Sequence, residues 1–110
     1  MKMDDYQKKA LTTALPSGDD FKDLLHWVLG ISGESGEIAE KFKKIIRDKD
    51  SQVSEADKQE LAKEIGDVLW YLAVLSNQLG FSFSDVAQQN LDKLQSRKKR
   101  GVLGGSGDNR

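Results

Sequence analysis

The 110-residue sequence contains no cysteine, a single histidine, His26, and a single proline, Pro16. Without cysteine there is no disulfide, no thiolate nucleophile and no thiolate-held metal. One histidine rules out most zinc sites and any centre built from several imidazoles. Charge of one sign is not in excess either. Seventeen basic side chains stand against 18 acidic ones, a formal net charge of −1, which argues against a nucleic-acid partner. No apolar run approaches the about 20 residues of a membrane span. The opening, MKMDDYQKKA, lacks the apolar centre of a signal peptide. A cytoplasmic protein with no membrane or nucleic-acid partner is expected. Carboxylates, basic groups and hydroxyls remain for chemistry, and that set matches hard cations and phosphates.

After Pro16 no obligatory helix breaker interrupts the chain. Ala, Leu, Glu, Lys, Gln and Asp fill it, without β-branched alternation. Four helices are expected. The first runs from about Asp4 to Leu15, and the second from a cap at Asp19 or Asp20 to about Arg47. A polar linker follows, from Asp48 to Val53. Ser54 with Asp57 has the spacing of a capping box and opens a third helix that reaches Leu79 and stops at Gly80. Ser82 with Asp85 repeats the signal for a fourth helix, ending near Arg100 and Gly101. The expected fold is all-α, an antiparallel bundle of about four helices. Residues 1–100 form its single domain, and the Gly-rich residues 101–110 form a flexible tail unless a ligand or partner orders them. A lone domain of this size leaves much apolar surface exposed, so a homodimer or homotetramer is expected.

Unrolling the two long helices at about 100° per residue locates the acidic side chains. With Glu64 at zero, Val68, Leu75, Leu61, Leu79, Leu72 and Ile65 fall within roughly the next 100°, and Tyr71, Asp67 and Val74 within about 80° on the other side. Glu64 and Asp67 thus lie inside an apolar arc, opposite Ala62, Gly66 and Asn77. In the second helix Trp27, Ile38, Ile45, Ile31, Leu24 and Phe42 occupy roughly 80° beside Glu34, with Glu37 one step further round. Each acidic pair is spaced by three residues and faces one way. Surface carboxylates with that spacing are common. Two pairs that both lean into apolar arcs point instead to carboxylates converging in the bundle, where protons or cations must offset their charge. Gly33, Gly36 and Gly66 interrupt the same helices, a cost that close packing or a ligand would explain.

The metal class follows from the donors. A ferritin-like di-iron bundle needs Glu-x-x-His motifs, which one histidine cannot supply. Asp48, Asp50 and Gln52 alternate as in a calcium loop, but Val53 and Gln59 replace its required Gly and Glu. An all-oxygen site suits Mg²⁺, with Mn²⁺ the alternative.

On the fourth helix Asn90, Lys93, Arg97 and Arg100 form a stripe beside Phe83, Ala87, Leu91 and Leu94, and Lys98 and Lys99 add charge. Cations there also suit the helix dipole. The functional reading is a phosphate grip, with Lys93 and Arg97 on oligophosphate oxygens and Asn90 as a donor.

Taken in order, Gly33-Glu34-Ser35-Gly36-Glu37-Ile38-Ala39-Glu40, Glu64-Ile65-Gly66-Asp67-Val68-Leu69-Trp70-Tyr71, and Asn90-Leu91-Asp92-Lys93-Leu94 with Arg97 and Arg100-Gly101 resemble the MazG-like nucleotide pyrophosphohydrolases of the all-α NTP pyrophosphatase superfamily. The resemblance spans roughly Leu24 to Gly101. It implies that Glu34, Glu37, Glu64 and Asp67 hold Mg²⁺, that Asn90, Lys93 and Arg97 contact phosphate, and that Tyr71 helps to hold substrate. It implies hydrolysis of a nucleoside triphosphate between the α- and β-phosphates, giving monophosphate and pyrophosphate. One position differs: the fuller motif begins with two adjacent glutamates, and Gly33 replaces the first. The number of metal ions is therefore left open.

Glu34 or Glu37 would serve as base for the attacking water if like-charged neighbours raise its pKa. His26 and Trp27 are candidates to line a base pocket, although Trp27 also reads as core. The competing reading is a non-catalytic helical interaction or regulatory module, for which carboxylate substitution would change neither ion nor partner binding.

Overall fold

The computed structural model describes residues 1–110 and contains four helices and no strand. α1 spans Met3–Leu11, α2 Asp20–Asp48, α3 Glu55–Gln78 and α4 Phe83–Lys99. No helix is long and apolar enough to cross a membrane. The start of each long helix is set by a side chain. Asp19 accepts from the Lys22 amide at 3.1 Å. Ser54 and Asp57 exchange two bonds, 3.1 Å from the Asp57 amide to Ser54 Oγ and 3.0 Å from the Ser54 amide to Asp57 Oδ2, a complete capping box. Ser82 accepts from the Asp85 amide at 3.1 Å. Glycines end α3 and α4. With Gly80 at φ 87° and Gly101 at φ 71°, the Phe81 amide reaches the Ser76 carbonyl and the Val102 amide that of Arg97, each at 2.9 Å, closing Schellman turns.

The first helix ends earlier than its composition predicts, at Leu11 instead of Leu15. The Thr12 and Thr13 hydroxyls donate back to the Lys9 and Ala10 carbonyls at 2.6 and 2.9 Å, taking up acceptors of the last turn. Thr13 Oγ1 also accepts from the Trp70 indole at 2.8 Å. A tertiary partner thus draws this residue out of the helix.

α2 and α3 form an antiparallel pair. Contacts that rise in number along one helix fall along the other: Trp27 Nε1 donates to Gln78 Oε1 at 3.1 Å, Lys41 stands 3.7 Å from Glu64, and Lys49 bonds Asp57 at 2.6 Å. α1 braces α3 and the start of α4. The buried Gln7 amide donates to the Ala73 and Phe81 carbonyls at 3.0 and 3.2 Å, and its oxygen accepts from the Phe83 amide at 3.0 Å. Around it Ala10, Trp27, Ala73, Val74 and Phe83 make the core. Ala73 is fully buried, although it lies about 180° from Glu64 on the helical wheel. α1 covers that face, and a one-sided apolar arc could not reveal it.

The bundle is open. Its radius of gyration is 17.0 Å, against about 13 Å for a compact domain of this length. Only ten residues are buried. α4 packs on α1 and α3 and makes no close backbone approach to α2. Part of the expected apolar arc of α3 is uncovered, including Ile65, Leu72 and Leu79. α2 carries a second apolar face with Phe21 73% exposed, Leu29 60% and Ile46 65%.

Candidate metal centre

The pairing of α2 with α3 decides which carboxylates meet. Glu34 lies midway along α2, Glu64 and Asp67 lie midway along α3, and the antiparallel register sets them opposite each other. One carboxylate oxygen from each of Glu34, Glu64 and Asp67 lies within 4.8 Å of the other two. Glu34 and Glu64 are half-buried and Asp67 is exposed. Glu37, one turn beyond Glu34, is exposed and stands outside this group. The sequence pattern nominates four carboxylates, and the fold draws three of them together.

Electrostatics mark the same place. Burial pushes the Glu34 carboxyl above its ordinary value; the Asp67 charge adds to this, then a hydrogen bond shared with Glu64, and then the charges of Glu64 and Glu37. The counter-charge within ion-pair reach of the three is Lys41, 3.7 Å from Glu64. Three carboxylates and one ammonium leave an excess negative charge, which a bound cation would offset. A cluster of hard oxygen donors with surplus charge fits Mg²⁺ or Mn²⁺ and gives a soft metal no ligand it prefers.

The aromatic residues beside this centre divide into core and surface. Trp27 is 2% exposed, its N–H is taken by Gln78, and its ring meets Trp70 edge-on at 5.7 Å. It is a core side chain. His26 is exposed and stacks on Trp27 with centroids 4.8 Å apart. The half-buried Tyr71 lies 6.4 Å from His26 and meets Trp70 edge-on at 4.9 Å. Its ring rests on the backbone of Gly30, where an added Cβ would overlap it. Gly30 is thus the close approach in α2. Gly33, Gly36 and Gly66, expected to mark one, have nothing within 4 Å of an added Cβ.

The cationic stripe of α4 is separate from the carboxylates, with no hydrogen bond or ion pair joining them. Asn90 is exposed and Lys93 half-buried. Arg97 is buried at 6% exposure. Lys93 and Arg97 both bond Asp108 of the tail, at 2.8 and 3.1 Å. Leu91 and Leu94, on the apolar side of the stripe, remain exposed. Lys41, Gly30 and Asp108 escaped the sequence reading. Lys41 had a signal, since it lies seven residues after Glu34 and shares its helix face. Gly30 and Asp108 had none, because each is defined by a contact distant in sequence.

The family model of the MazG nucleotide pyrophosphohydrolase domain matches residues 22–102, which takes in both acidic pairs and the basic stripe. Among curated proteins, Gene 37 protein of Mycobacterium phage L5 is 50% identical over 114 residues, spanning the whole of both chains. Uncharacterized protein YvdC of Bacillus subtilis (strain 168) is 38% identical over 69 residues, covering 58% of this chain and 65% of that protein. No solved structure matches the chain. With Glu34, Glu64 and Asp67 converging where α2 meets α3, and the matched segment covering most of the sequence, the chain belongs to the MazG nucleotide pyrophosphohydrolase domain family.

Proposed function

We propose that the protein hydrolyses a nucleoside triphosphate between its α- and β-phosphates in a Mg²⁺-dependent reaction, releasing a nucleoside monophosphate and pyrophosphate. The observation that carries this reading is the convergence of Glu34, Glu64 and Asp67 in a chain of this family. These three side chains would hold the ion, with Mn²⁺ as a substitute. Bound there, the ion would neutralise phosphate charge and help to orient the attacking water.

The chain's own groups carry the rest. Glu37 is exposed and free of the three-carboxylate cluster, so it is assigned as the base that takes a proton from water. The raised pKa of Glu34 comes first from burial and then from the neighbouring carboxylates, whose repulsion a cation would relieve, and this favours a ligand role over a base role for Glu34. As the water oxygen bonds to phosphorus, the bond to the bridging oxygen breaks and negative charge grows on the leaving pyrophosphate. Lys93 and Arg97 neutralise that charge, and Asn90 donates a hydrogen bond. Tyr71 and His26 present the exposed aromatic edge of the site to the nucleoside, backed by the buried Trp27.

The reading includes self-association into at least a homodimer. The open bundle, the uncovered apolar face of α2 and the separation of α4 from α2 support it, because such surface is normally covered. A second copy could bring a basic stripe to the carboxylates.

The deciding experiment incubates the full-length protein with the common NTPs and dNTPs and with modified nucleotides, with and without Mg²⁺, and resolves pyrophosphate from orthophosphate. Mg²⁺-dependent pyrophosphate release is expected. No turnover of any nucleotide at micromolar protein would sink the catalytic reading.

A further inference from the structure

The basic stripe of α4 already holds an anion, and the anion belongs to the same chain. Beyond Gly101 the tail turns back on itself with Gly105 and Gly107 both at φ 89°, a conformation glycine adopts without strain. Arg110 clasps the turn. Its guanidinium donates to the carbonyls of Val102, Leu103, Gly104 and Gly107 at 3.1, 2.9, 3.0 and 2.6 Å, and Arg100 donates to the Arg110 carbonyl at 2.7 Å. The closed turn presents Asp108 to the helix. One carboxylate oxygen accepts from Lys93 at 2.8 Å and from Arg97 at 3.1 Å, and the Asp108 carbonyl accepts a second bond from Arg97.

Two features mark this contact as the use of an anion site by a weak occupant. Arg97 Nε is buried and has no partner, so the tail satisfies only part of a buried guanidinium, a costly arrangement. A phosphoryl group offers three acceptor oxygens and more charge than one carboxylate. The Asp108 side chain, in contrast, is 76% exposed, and an ion pair with one exposed partner is weakly held. Asn90, Lys93 and Asp108 also border an open cavity of about 370 Å³, so a ligand entering it would meet the tail carboxylate.

We propose that residues 102–110 are a displaceable self-ligand: Asp108 occupies the Lys93–Arg97 anion site in the free protein and is expelled when the phosphate chain of the substrate binds there. The proposal rests on the phosphate-grip reading of α4 given above. It makes the tail a built-in competitor that lowers the apparent affinity for every oligophosphate by the fraction of molecules with the site closed.

Inorganic tripolyphosphate is the probe, titrated calorimetrically into full-length wild type, Asp108→Ala, Arg110→Ala and Lys93→Ala, without added metal. Asp108→Ala and Arg110→Ala are expected to bind about three- to tenfold more tightly than wild type, and Lys93→Ala more weakly. In wild type, tripolyphosphate should raise amide hydrogen exchange across residues 102–110. Equal or weaker binding by Asp108→Ala, unchanged tail exchange, or no binding by any of the proteins would overturn the proposal. The two readings fail separately. Tail release by tripolyphosphate without turnover of any nucleotide removes the catalysis and leaves the competition, whereas turnover with unchanged tail exchange does the reverse.

Discussion

The carboxylate centre and the basic stripe carry opposite charge and reach their present state by different routes. Glu34, Glu64 and Asp67 come from two helices, and the α2–α3 register alone brings them together. Their charge has one partial offset, Lys41 at 3.7 Å. Lys93 and Arg97 come from one helix and would be neighbours on it in any fold. Their charge is answered inside the chain by Asp108. A site assembled from two elements is left with surplus negative charge that a cation would offset. A site on one element finds a partner in its own tail, which on the proposal above leaves when a ligand enters.

Removing one carboxylate should break the first site outright. Glu64→Gln is expected to lower pyrophosphate release by at least about 100-fold while the protein stays folded, since losing a metal ligand exceeds the 10–100-fold cost of losing a supporting residue. Circular dichroism checks the fold, and unchanged turnover would show that the centre is elsewhere. The basic stripe should respond less. Lys93→Ala should lower kcat/KM about tenfold, shared between a higher KM and a lower kcat, as expected for one charge-assisted hydrogen bond that holds the phosphate chain and meets charge growing on the leaving group. Equal loss in kcat and kcat/KM would confine its contact to the transition state, and a KM effect alone would leave it no part in stabilising the leaving group.

A third test concerns the aromatic residues on α2 and α3. Gly30→Ala places a methyl group where the Tyr71 ring lies and should cost about 1–3 kcal/mol, an overpacking effect visible as a drop in Tm. An unchanged Tm would mean that Tyr71 moves aside freely.

The smallest effect is the pH response of the metal-free protein. The Glu34 carboxyl lies above its ordinary value of 4.5 in the folded state, so folding binds a proton. Metal-free stability should fall as pH rises from 4.5 through that raised value. Asp57 has the opposite sign. Its bonds from Lys49 and Ser54 hold it down to about 2, so its contribution is present above 3.8 and is lost as pH falls toward 2. Thermal unfolding in EDTA should therefore show greatest stability in the weakly acidic range. Glu34→Gln should flatten the decline above it, and Asp57→Asn the decline below it. A profile unaffected by Glu34→Gln would mean that the three carboxylates do not crowd one another in solution.

Much of the fold was legible because its signals are local. Ser54 with Asp57, Ser82 with Asp85, and Gly80 mark helix ends through bonds within a few residues, and the structure has each of them. The α1 end was not legible, because the Trp70 indole engages Thr13 across 57 positions of sequence. The wheel put Glu34 at the edge of one apolar arc and Glu64 inside another, and both side chains are half-buried. It could not exclude Glu37, whose spacing is as good as that of Asp67, since only the pairing of the two helices decides which carboxylates meet. Nor could it foresee Gln7 sealing Ala73, or the glycine that packs being Gly30 and not Gly33, Gly36 or Gly66.

By itself the sequence determined the chemistry available: no thiolate, one imidazole, two acidic pairs at helical spacing and a basic stripe. Those properties follow from residue type and from the fixed 100° step of the α-helix, and no tertiary contact alters them. Tertiary structure alone decided which groups meet. It brought three carboxylates of four within 4.8 Å of one another, kept α4 away from α2, and returned Asp108 to Lys93 and Arg97. These outcomes depend on helix register and chain reversal, which are settled by contacts between residues far apart in sequence.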